Sequence, residues 1–134
     1  MTSYAATCRC GQLSATVTGD PVRVSVCHCH NCQKRSGSTF AAQARWPVEQ
    51  VAISGQARIW QQAGDEGGTA TFSFCPDCGS SLFYTNEGME DLIAIAMGGF
   101  AGTGWVLPVP QYSVYESRKP EWVAIISDGI DHWQ

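Results

Sequence analysis

Cys27-His28-Cys29-His30-Asn31-Cys32 packs three thiols and two imidazoles into six residues. If the backbone is extended through 27–29, Cys27 and Cys29 point to one face and His28 to the other. A turn after Cys29 then returns Cys32 to the side of the two sulfurs. Three closely spaced thiolates can hold a zinc ion and leave its fourth position to water or a substrate thiol, which is the form catalytic zinc sites take. The alternative is a closed site of three cysteines and one histidine, drawn from His28, His30 or the distant His132. Alternation turns His28 away, toward a hydrogen bond in the core or behind the ligands. His30 lies inside the turn and stays a candidate fourth ligand.

The other four of the seven cysteines fall as Cys8-Arg9-Cys10-Gly11 and Cys75-Pro76-Asp77-Cys78-Gly79, and none follows Cys78. An odd count with CxC and CxxC spacings suits metal better than a disulfide framework. Sulfurs must stand about 2.3 Å from one ion, and each short pair supplies two on one side, so Cys8, Cys10, Cys75 and Cys78 are assigned to a structural zinc. That ion would tie an N-terminal hairpin to the middle of the chain. Gly11 and Gly79 follow their pairs directly, where a knuckle often needs positive φ. A redox CxxC would instead sit at a strand-to-helix junction in a βαβ pattern, and no such pattern is present.

Lys34 and Arg35 follow the three-cysteine cluster. A zinc ion held by three thiolates carries one net negative charge, which these cations could offset, or they could hold a substrate carboxylate; two solvated surface cations are the plainer reading. Ser36-Gly37-Ser38-Thr39 reads as a turn whose hydroxyls serve its own backbone. Gly98-Gly99 permits close approach of a ligand or of another strand, and both are candidate substrate contacts.

Leu13, Ala15 and Val17 alternate with polar residues, as do Val22, Val24 and Val26, around Gly19-Asp20-Pro21, which predicts a hairpin. Further strands are expected at 39–46, 51–54, 58–62, 69–75, 81–84, 92–97, 111–115 and 123–126. Helix is limited to a turn or two near 31–36. The class is mainly β, a single domain over 1–134 with its core at about 4–125. Gly64-Asp65-Glu66-Gly67-Gly68 is expected as an exposed, flexible loop and 127–134 as a tail. The five tryptophans and five phenylalanines are expected mostly in the core.

With 44% hydrophobic and 15% charged residues the chain should fold rather than remain disordered. Its net charge of −4 argues against a general nucleic-acid binder. Residues 92–115 carry no charge, but their glycines and prolines would break a membrane-spanning helix. The first seven residues lack a basic start and an apolar core, so the expected compartment is the cytoplasm.

Taken in order, the early CxC, Cys27-His28-Cys29-x-x-Cys32, Ser36-Gly37-Ser38, Cys75-Pro76-x-Cys78-Gly79-Ser80, Gly98 and Pro120-x-Trp122 resemble the glutathione-dependent formaldehyde-activating (GFA) family over about residues 4–125. The resemblance implies several coiled antiparallel β-sheets around zinc, with the structural ion on Cys8, Cys10, Cys75 and Cys78. It also implies a second, exchangeable zinc on Cys27, Cys29 and Cys32, where glutathione and formaldehyde combine to S-(hydroxymethyl)glutathione. Tyr112 stands near the place where many members carry a histidine. The expected activity is that of a carbon–sulfur lyase acting on a small thiol adduct, with those three cysteines catalytic. The alternative is a non-catalytic zinc module for protein interaction or zinc storage, since the family includes a centromere-associated protein. A methionine sulfoxide reductase would need a nucleophilic cysteine late in the chain.

Overall fold

A computed structural model describes residues 2–64 and 67–134. Among these the strands are β1 (Ser3–Thr7), β2 (Ser14–Thr18), β3 (Arg23–Cys27), β4 (Ala41–Pro47), β5 (Val51–Ser54), β6 (Arg58–Ala63), β7 (Thr69–Phe74), β8 (Ser81–Asn86), β9 (Leu92–Ala96), β10 (Tyr112–Val114) and β11 (Asp131–His132). One helix, α1 (His30–Ser36), lies between β3 and β4. The class is mainly β, as expected, and α1 falls where the short helix was placed. Asp65 and Glu66 of the expected 64–68 loop lie outside the described residues, as does Met1.

Strands β1, β2 and β5 form one antiparallel sheet. The others form a second sheet in the order β11-β10-β3-β4-β9-β8-β7-β6. The alternation read in β2 is real: Ala15 and Val17 are fully buried. They meet Trp46, Leu82, Ile95 and Phe100 in the core between the sheets. Trp46 and Phe100 pack with ring centroids 5.6 Å apart.

Four expectations are corrected. Strands β2 and β3 do not form a hairpin: β2 has β1 and β5 on its two edges, so 19–21 carries the chain into the other sheet. There Val22 donates its amide to the Arg45 carbonyl. Pro21 disfavours a tight return, because the residue before it is held extended and its own nitrogen cannot donate. No strand occupies 123–126, where Val123 instead closes a turn onto Pro120. The expected tail carries β11, which pairs in parallel with β10, and β10 pairs in parallel with β3. These parallel pairings join segments far apart in sequence, so no local pattern announces them. Trp60, Trp122 and Trp133 are also more than half exposed rather than core.

Candidate metal centres

Cys8 and Cys10 lie in the connection between β1 and β2, and Cys75 and Cys78 in that between β7 and β8. Both connections are knuckles. Gly11 donates to the Cys8 carbonyl and Gly79 to the Cys75 carbonyl, with φ of 86° and 79°, the left-handed geometry expected of them. The four sulfurs lie within 4.8 Å of one another. A tetrahedral zinc with sulfurs about 2.3 Å away requires sulfur–sulfur edges of about 3.8 Å. The Cys8–Cys10 and Cys10–Cys75 edges are 3.6 and 3.7 Å, so this donor set fits the ion.

The surrounding donors point inward. Leu13 N lies 3.3 Å from Cys8 Sγ and Gln12 Nε2 lies 2.9 Å from Cys75 Sγ. The Ser80 hydroxyl, 3.3 Å from Cys78 Sγ, leads in holding that thiol down at about 5. Hydrogen bonds to sulfur favour the thiolate, the form that binds metal.

The second cluster sits where β3 runs into α1. Cys27 ends the strand, Cys29 caps the helix by accepting from Cys32 N at 3.3 Å, and Cys32 lies in the first turn. The three sulfurs lie within 4.8 Å of one another, and among the described residues no histidine or carboxylate joins them. Cys29 and Cys32 push the Cys27 thiol up, while Cys27 and Cys32 pull Cys29 down to about 2. Such mutual opposition is what a divalent cation relieves when all three ionise. The donor set therefore fits zinc with one ligand position left over.

His28 is fully buried and bonds Ser113 at 2.9 Å, away from the sulfurs, as alternation required. Burial lowers its pKa, which favours the neutral ring. His30 is exposed, and His132 instead pairs with Glu116. Gln33 Nε2 fastens α1 from behind by donating to the His28 carbonyl at 2.8 Å and the Arg118 carbonyl at 3.0 Å.

Cys29 and Cys32 open onto a cavity of about 260 Å³ that also meets Arg35, Arg45, Phe72 and Tyr84. Arg35 stands 3.7 Å from Cys32 Sγ, with its guanidinium over Phe72 and Tyr84 at 5.1 and 4.9 Å. Lys34 is exposed and borders a neighbouring cavity beside Trp60. Gly98 and Gly99 line a third, with Arg9 and Ser80. Arg35 borders all three. A β-carbon on Gly99 would stand 2.8 Å from Leu82 Cδ1 and 3.1 Å from Ala6 Cβ, so this glycine admits close approach of β1. Sequence reading did not identify Gln12, Gln33, Arg45 or Tyr84. Only strand pairing brings Arg45 and Tyr84 to the cavity, although the glutamines had a weak signal in lying next to or within the cysteine segments.

Fold and sites together define a cysteine-rich β domain with two clusters that could each hold a metal ion. A profile of the glutathione-dependent formaldehyde-activating enzyme family matches residues 3–118, and the chain belongs to that family. A search of curated proteins finds no relative. Among solved structures, the crystal structure of a Rhodobacter sphaeroides protein matches with a TM-score of 0.59 at 19% identity. The match covers 78% of this chain and 91% of that one, which bears on the fold alone.

Proposed function

We propose that the protein is a zinc-dependent carbon–sulfur lyase that joins or parts a small thiol and an aldehyde, with glutathione and formaldehyde as the first pair to test. The observation that carries this reading is that Cys29 and Cys32 face a cavity also bordered by two arginines. Zinc on Cys27, Cys29 and Cys32 would supply an exchangeable position that holds a thiol as its thiolate at neutral pH. Arg35 offsets the cluster's excess negative charge and offers a fork to a carboxylate on the thiol. Phe72 and Tyr84 wall the cavity and limit water around the reacting sulfur. Lys34, Gly98 and Gly99 border the adjoining cavities, where the remainder of a peptide-sized thiol would extend. Thiolate addition to formaldehyde has a low barrier, so positioning is the protein's main contribution.

Native mass spectrometry under reducing conditions tests the reading. Two zinc ions per chain are expected, with a thiol adduct appearing when glutathione and formaldehyde are added. Cys29→Ser should bind one ion and lose turnover; full turnover in that variant overturns the assignment.

A further inference from the structure

Arg45 and Tyr84 come together across the sheet. Arg45 in β4 and Tyr84 in β8 both stand opposite Ala94 in β9, and Phe72 continues the row in β7. All are on the face away from the apolar core, because Ala44, Trp46 and Ile95 point the other way into it. The small side chain of Ala94 leaves a gap over which the guanidinium reaches the phenol.

Arg45 Nη2 lies 3.4 Å from the Tyr84 hydroxyl. A guanidinium has donors only, so Arg45 donates and the phenol oxygen accepts. The phenol's own O–H then has no acceptor among the described residues, although Tyr84 is only 7% exposed. The ring borders the cavity that Cys29 and Cys32 enter. Among the other polar side chains there, Gln62 donates to Asn31, and Arg35 lies along Cys32 and the aromatic wall. Burial, acting against Arg45 and Arg35, pushes the Tyr84 phenol up and keeps it protonated.

We propose that Tyr84 is a catalytic residue whose hydroxyl, aimed by Arg45, gives its proton to the aldehyde oxygen as the thiolate adds. This rests on the lyase reading above. The sulfur lone pair forms the C–S bond, and the carbonyl π pair moves to oxygen. That oxygen takes the Tyr84 proton, and the phenolate is reprotonated by water carrying the proton the thiol gave up. The net change is thiol plus aldehyde to hydroxyalkyl thioether, and cleavage runs the same steps backwards. Arg45 is a positioning residue.

The test is exchange NMR on glutathione and formaldehyde at equilibrium with zinc-loaded protein, reading the interconversion rate, the thiol KM and the metal content. Tyr84→Phe keeps the ring and should slow exchange at saturating thiol by about 10²-fold, the usual scale for a positioned proton donor, with KM and two zinc ions unchanged. Arg45→Met should give a smaller fall of the same kind. An unaltered rate in Tyr84→Phe overturns the proposal alone, and so does loss of its second zinc, because Tyr84 would then act through the cluster. If the wild-type chain with two zinc ions fails to accelerate exchange, the lyase reading falls and the proposal falls with it.

Discussion

Gln12 Nε2 stands 2.9 Å from Cys75 Sγ, bridging 63 positions of sequence. The same amide nitrogen donates to the Gln56 carbonyl at 2.7 Å, and Gln56 N donates back to Gln12 Oε1 at 3.0 Å. One side chain thus couples the four-cysteine cluster to the connection between β5 and β6. Partners of this kind behind the ligands typically account for 10- to 100-fold of metal affinity. Gln12→Ala should therefore weaken zinc at the first cluster by about that factor, read by competition with a chromophoric chelator.

The two clusters should differ in what their loss does. Cys8, Cys10, Cys75 and Cys78 link the connection between β1 and β2 to that between β7 and β8, and so join the two sheets. Cys75→Ser should abolish a cooperative thermal transition, since structural zinc binding is folding free energy. Cys29→Ser leaves that link intact and should retain a cooperative transition with one zinc per chain. Equal Tm losses in the two variants would contradict the division of roles.

At Gly99 the added methyl of Gly99→Ala meets Leu82 Cδ1 at 2.8 Å and Ala6 Cβ at 3.1 Å. Leu82 and Ala6 are themselves buried and cannot withdraw freely. Overpacking of this kind costs about 1–3 kcal/mol, to be read as a lowered denaturation midpoint. Gly98→Ala meets no atom within 4 Å and should be far milder.

Acid should loosen the C-terminal strand. Burial would raise the Glu116 carboxyl, but hydrogen bonds with Ser113 and His132 hold it below its ordinary value of 4.5. A depressed folded pKa means stability that is present above the unfolded value and lost as pH falls through the folded one. Hydrogen exchange of residues 128–134 should stay protected down to about pH 4.5 and rise below it, ahead of residues around Trp46. Glu116→Gln should remove that pH dependence. Unchanged behaviour in the variant would show that the pair does not hold β11.

The cysteine spacings and the short alternating runs were legible because each is a local pattern. A CxC or CxxC needs only its own turn to present two sulfurs, and β2 needs only its own alternation. Strand pairing was not legible in the same way. The 19–21 turn suggested a hairpin because the sequence does not show that both edges of β2 are already taken by β1 and β5. The final residues suggested a tail because β11 is two residues long and gains its order from β10.

By itself, then, the sequence determined the mainly β class, the sorting of seven thiols into a four and a three, and the turning of His28 away from the sulfurs. Backbone periodicity and turn geometry are enough for those. Only the tertiary structure decided that Arg45 and Tyr84 face Cys29 and Cys32 across one cavity while Gly98, Gly99 and Lys34 border others. Arg45 and Tyr84 lie on different strands of the large sheet, and their meeting depends on the register that sets both opposite Ala94, far from Arg45 in sequence. That register is set by burying Trp46, Ile95 and Leu82 in a shared core, a condition that no single segment encodes.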